Sequence, residues 1–156
     1  MHMSTDREYG YSARRLHLRL VFLLAAFAAP SAASTANTIQ IIANTDAPVS
    51  ELSVTTLRSI FSMRARNWPA DGPVRVFVLP DRDDRHAVFA KQVLRIYPYV
   101  LRVNWDRLVF TGTGAAPIEV RDQDELVRRV ASTPGAIGYI LNGQLVNENI
   151  KVLAIR

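Results

Sequence analysis

At 156 residues, 49% of them apolar and 21% charged, the chain has enough apolar material for one packed domain and too little for two full-sized ones. The absence of cysteine excludes disulfides, a thiol nucleophile and a lipid-anchored cysteine. Four arginines against two acids in the first 36 residues account for +2 of the formal charge of +5 and leave +3 on the rest. No dense Lys/Arg stripe is interleaved with aromatics, so nucleic acid is not an expected partner.

The chain opens on a targeting pattern. Arg14, Arg15, His17 and Arg19 are followed by the apolar run Leu20 to Ala29 and by Pro30-Ser31-Ala32-Ala33, a small-residue cleavage region. This predicts a signal peptide over residues 1–36, with cleavage after Ala33 or Ala36 and a periplasmic or secreted product. The apolar run is shorter than the ~20 residues that span a bilayer, so no stable membrane span is expected after cleavage. The Arg14-Arg15 pair leaves twin-arginine export open, although its surroundings fit that pattern poorly.

Residues 37–156 read as one domain with strands and helices in alternation. Ile39, Ile41, Ile42 and Ala43 predict a strand ending at the turn Asn44-Thr45-Asp46. Ser53 predicts a helix N-cap, with Leu52 and Leu57 placed as a hydrophobic staple and Leu57, Ile60 and Phe61 on the buried face. Arg64 and Arg66 follow that helix, where they either complement its dipole or reach a ligand. Val74 to Leu79 is a β-branched and aromatic run of the kind covered on both faces, which predicts a central strand. Pro80 ends it, since proline cannot donate to a central ladder.

A charged turn, Asp81 to Asp84, then leads into an amphipathic helix beginning near Arg85, with Phe89, Ala90, Val93 and Leu94 inward. After Pro98, Leu101, Trp105 and Leu108 mark a third helix. Thr111-Gly112-Thr113-Gly114 reads either as an anion-cradling loop or as a plain helix-terminating turn. Asp122 with Glu125 opens a fourth helix carrying Leu126, Val127 and Val130. Pro134-Gly135 turns the chain into a strand at Ala136 to Ile140. A turn at Asn142-Gly143 leads to a last strand around Ile150 to Ile155. The fold class is α/β, a mixed β-sheet flanked by helices.

Catalysis has little support. His86 is the single histidine after residue 36, no G-x-S-x-G elbow occurs, and the carboxylates stand mostly at helix starts, where capping explains them. Asp83 and Asp84, with Asp81, read as a solvated cap or as an acid/base or metal group. Trp68 and Trp105 read as core or as pocket lining. We therefore expect no enzyme, no metal and no cofactor. Ligands of open α/β sheets bind beyond the carboxyl ends of strands, so any small-molecule site should begin after Leu79. The candidate ligand residues are Asn44, Thr45, Arg82, Asp83, Asp84, Arg85, His86, Thr111, Gly112, Thr113 and Gly114.

Four stretches, IIANTDAPVSELSVTTLRSIFSMRARNW, VRVFVLPDRDDRHAVFAKQVL, NWDRLVFTGTG and TPGAIGYI, resemble the phosphate-binding proteins of ABC transporters, in the same order. The F-S-x-R-x-x-x-W segment at Phe61 to Trp68 and T-P-G-A-I-G-Y at Thr133 to Tyr139 carry the likeness best. The resemblance covers nearly all of residues 37–156 and implies a single lobe of the type II periplasmic-binding-protein fold, binding phosphate or another small oxyanion for uptake or sensing. Two departures stand out. The full receptors close two lobes on the anion, whereas 120 residues match one. The family's Ser-Gly-Thr at the helix after the central strand is replaced by Asp83-Asp84-Arg85, where carboxylates repel a dianion unless paired. That replacement leaves a second reading open: a non-enzymatic module that has lost its ligand and docks on an envelope protein partner.

Overall fold

The computed structural model describes residues 38–141 and 147–156. The signal peptide, its cleavage region and the Asn142-Gly143 turn lie outside the described residues. Six strands, β1 (Ile39–Asn44), β2 (Glu51–Leu52), β3 (Arg75–Val78), β4 (Ile118–Glu119), β5 (Ala136–Leu141) and β6 (Ile150–Ile155), make one sheet in the order β2-β6-β1-β5-β3-β4. β1 runs antiparallel to β5 and β6, whereas β3 is parallel to both β4 and β5 and β2 is parallel to β6. The sheet is therefore mixed, and β3, β4 and β5 all present their carboxyl ends at one edge. Four α-helices accompany it among the described residues: α1 (Val54–Phe61), α2 (Asp84–Phe89), α3 (Pro98–Phe110) and α4 (Gln123–Ser132).

The helices lie on both faces, and two neighbouring residues of β5 show why. Side chains alternate across a strand, so Gly138 and Tyr139 point to opposite faces. A Cβ at Gly138 would stand 2.6 Å from Cδ2 of Leu126 and 3.2 Å from Cγ2 of Val130, so glycine lets α4 settle directly on the sheet. Tyr139 faces the other layer. Its ring stacks on Phe89 of α2 at 3.8 Å between centroids and lies 6.0 Å from Phe61 of α1. Trp105 of α3 joins this layer, fully buried, with its indole N–H donating to the Phe61 carbonyl at 2.9 Å. Both tryptophans belong to the core, Trp68 being 3% exposed.

Local chemistry explains the helix boundaries. The Ser53 hydroxyl accepts the Thr56 N–H at 3.1 Å, and Leu52 and Leu57 are buried around this cap. Asp122 accepts from the Glu125 N–H at 2.7 Å, while the Glu125 carboxylate reaches back to the Arg121 N–H at 3.0 Å. This is a capping box shifted outward by one residue. Asp83 caps α2, which starts at Asp84, one residue before the predicted start. The same helical segment continues past Phe89 as a π-helical stretch, Ala90–Leu94, and ends where Arg95 adopts φ 54° and Ile96 N–H donates back to the Ala90 carbonyl.

Two features differ from the sequence expectation. β3 is an interior strand, but β1 and β5 hold the middle of the sheet and only the two-residue β4 lies outside β3. A β-branched run reports cover over its two faces and says nothing about its lateral place. β2 and β4 were not expected at all, because two residues are too short to show an alternating pattern.

Candidate functional site

The carboxyl ends of β3 and β4 open onto a cleft of about 250 Å³ lined by Pro80, Arg82, Glu119, Val120, Arg121 and Glu125. Pro80 stops β3, and the chain turns back through an Asp83 N–H to Pro80 carbonyl bond of 2.9 Å. That turn places Arg82 at the cleft and Asp83 at the head of α2. The Val120 N–H donates to the Val78 carbonyl at 2.9 Å and carries the β3–β4 pairing to the cleft floor.

Most carboxylates of this rim already have a cation. Asp83 accepts from Arg85 three times, from its backbone N–H at 2.9 Å and from its guanidinium at 2.9 and 2.7 Å. The side-chain bond from Arg85 is the main reason the Asp83 carboxyl titrates below its usual range. Asp81 is gripped by Arg102 at 2.7 and 3.0 Å, and the same guanidinium reaches Glu119 at 3.1 Å. Arg102 thus clamps the turn after β3 to the end of β4. Glu125 accepts from the Arg121 backbone and side chain, which together hold its carboxyl down to about 2. The side chains of Arg82 and Asp84 are exposed and make no hydrogen bond or ion pair among the described residues.

Beneath this rim lies His86, fully buried. Its Nδ1 is 2.6 Å from the Tyr139 hydroxyl, and that oxygen also accepts the Leu79 N–H at 3.0 Å. Burial pushes the tyrosine pKa well above its ordinary value, so the hydroxyl stays protonated and donates to Nδ1. The imidazole proton then sits on Nε2, which has no hydrogen-bond partner among the described residues and faces Oδ1 of Asp81 at 3.9 Å. Desolvation lowers the His86 pKa in spite of Asp81, so the ring is neutral at pH 7.

The structure brings Arg82, Asp83, Asp84, Arg85 and His86 together and separates them from the other candidates. Asn44 ends β1, which is antiparallel to β5, so it lies at the amino end of the parallel strands. It is 4% exposed and fully engaged: its amide donates to the Val130 and Ala131 carbonyls at 3.0 and 2.9 Å, and its oxygen accepts the Asp46 N–H at 2.9 Å. Thr45 is exposed beside it, its N–H donating to the Asn149 carbonyl. Thr111, Gly112, Thr113 and Gly114 precede β4, and the last three share a cleft with Met63, Arg66 and Val74, at the end of the sheet opposite Arg82. Their N–H groups all donate to carbonyls of Arg107, Leu108 or Val109, and Arg66 donates to the Thr113 carbonyl. Those four N–H groups therefore close α3.

Arg102, Glu119 and Tyr139 belong to the site's framework and were not among the sequence candidates. Arg102 stands 21 residues from Asp81, and Tyr139 stands 53 from His86. No local spacing links either pair.

A family model described as a PBP superfamily domain matches residues 32–154. The chain belongs to this family. Among proteins of the family's kind, it is similar to the phosphate-binding protein PstS of Bacillus subtilis (strain 168), 29% identical over an alignment of 119 residues, with 72% of this chain and 34% of that protein covered. Its fold matches PstS from Borrelia burgdorferi at a TM-score of 0.62 and 16% identity, covering 77% of this chain and 47% of that one. It also matches an ABC-type phosphate transport receptor from Vibrio cholerae at a TM-score of 0.53 and 15% identity, covering 76% and 46%. The chain therefore spans less than half the length of each of these relatives, and the α/β architecture expected from its sequence is the one they share. Among the described residues no helix is long and apolar enough to cross a membrane.

Proposed function

We propose that this domain is a non-enzymatic solute-binding module, exported by its N-terminal signal, that takes phosphate or a similar small oxyanion at the carboxyl-end cleft for uptake or sensing. The observation that carries the reading is the charge arrangement there. Arg82 is exposed without an ion-pair partner among the described residues, while Asp81, Asp83, Glu119 and Glu125 are each held by an arginine. A free guanidinium presents a planar fork that suits a tetrahedral oxyanion, and charge-assisted bonds are the strong ones. Pairing Asp83 with Arg85 also removes the repulsion that two bare carboxylates would impose. Family membership supports the same chemistry, since the relatives named above are phosphate-binding proteins.

Titration calorimetry with phosphate, sulfate and acetate at low and high salt tests this reading. Saturable, phosphate-preferring heat is expected, weakened by salt because the cleft is open to water. Arg82→Ala should abolish it, and Arg85→Ala should weaken it by exposing the Asp83 carboxylate. Asp84→Asn should strengthen it about two- to fivefold by removing an unpaired charge of the wrong sign. No heat with any of the three anions, or equal loss in Arg82→Ala and the remote Arg128→Ala, would refute the assignment.

A further inference from the structure

We propose that the exposed face of α3 docks on an anionic lipid bilayer surface. A residue advances 100° around a helix, so Tyr99, Val103 and Phe110 fall on one stripe, opposite Leu101 and Trp105, which are fully buried. Tyr99 is 68% exposed, Val103 61% and Phe110 89%. Tyr97, just before the helix, stacks against Tyr99 with ring centroids 5.9 Å apart and lengthens the ridge. A helix apolar on both sides normally has cover on both. Here the sheet layer covers only one.

The charges around this ridge select the cover. Lys91 and Arg95 line a cleft of about 280 Å³ together with Ile96 and Tyr97, at the amino end of the ridge. Arg107 lies on its flank one turn before Phe110. All three cations are exposed and without ion pairs among the described residues, and Asp106 is the one acid on the stripe. A second copy packed ridge to ridge would set one basic-flanked patch against another, since a two-fold interface sets the same patch of both copies face to face. An anionic surface meets them with the opposite sign. The ridge ends in Phe110, 89% exposed, and its tyrosines have an apolar ring with a polar tip. Such side chains settle at the headgroup level of a bilayer, where a helix with basic flanks lies flat. Phosphate binding has no part in this contact.

Co-sedimentation with phosphatidylcholine vesicles, with and without phosphatidylglycerol, tests the proposal. Binding is expected only when phosphatidylglycerol is present and should fall as salt rises. Val103→Asp combined with Phe110→Asp should abolish it. Lys91→Ala combined with Arg95→Ala should lower it about thirtyfold, at the usual contribution of a juxtamembrane cation. In otherwise unaltered protein, Tyr99→Trp should show a blue-shifted emission on the anionic vesicles, a readout that does not require the paired variants to fold. Equal binding to neutral vesicles would overturn the proposal. So would binding that survives Val103→Asp/Phe110→Asp, no emission shift, or a dimer that the same pair of substitutions dissolves without any vesicle binding.

Discussion

Tyr139→Phe removes one oxygen and leaves the ring that stacks on Phe89, so it isolates the buried hydroxyl. That oxygen accepts the Leu79 N–H at 3.0 Å and supplies the proton to Nδ1 of His86 at 2.6 Å. Leu79 and His86 are both fully buried, so water cannot replace either bond without opening the core. A buried polar group left without a partner costs about 1–3 kcal/mol, which for the amide and the imidazole together gives a loss of about 2–6 kcal/mol. This is a large share of the ~5–15 kcal/mol by which a domain is stable. Urea unfolding at neutral pH measures it, with the unchanged slope showing that the same surface is exposed in both proteins. Tyr99→Phe is the control, because its hydroxyl is on a side chain 68% exposed, and a change within about 0.5 kcal/mol is expected there. If Tyr139→Phe also stayed within that margin, the hydroxyl would not be a structural bond, and the tautomer assigned to His86 would lose its basis.

Two further outcomes follow from the structure. Gly135 has φ +68° and a Cβ there would lie 2.5 Å from the Pro73 carbonyl oxygen, so Gly135→Ala should destabilise by about 2–3 kcal/mol; Gly72→Ala, at φ +86° in open space, should cost only about 1 kcal/mol, and equal losses in urea melts would contradict the clash. His86 gives stability a pH dependence of known sign. Its pKa is lowered by burial, so the unfolded imidazole takes up a proton near pH 6.5 before the folded one does. The contribution is fully present above about pH 6.5 and is lost as pH falls through the folded value. Urea melts between about pH 7.5 and about pH 5 should show wild type weakening on acidification and His86→Gln doing so less; parallel curves for the two would show that His86 is not responsible. Asp83 and Glu125, whose pKa values are lowered below the carboxylate range, act at lower pH and do not enter that window.

Much of this protein was legible from interactions that span a few residues. Ser53, Asp83 and Asp122 cap helices because each side-chain oxygen reaches an N–H two or three residues on, and Pro80 ends a strand because it has no N–H to give. The apolar periods of α1 and α4 followed in the same way, as did the strands β1, β3, β5 and β6. The lateral order of the strands did not, since it depends on how all the faces pack at once. That order is what divides the candidate residues between opposite ends of the sheet, placing Arg82 to His86 at one and Asn44, Thr45 and Thr111 to Gly114 at the other. It also turns Asn44 inward to the last carbonyls of α4, some 86 residues away. Arg102 became the clamp between Asp81 and Glu119 only when the first turns of α3 were brought to the carboxyl ends of β3 and β4. Residue types set which bonds this chain can make, whereas the packing of sheet and helices decides which carboxylates are already neutralised and leaves Arg82 facing solvent, because distances between remote residues are a property of the whole fold.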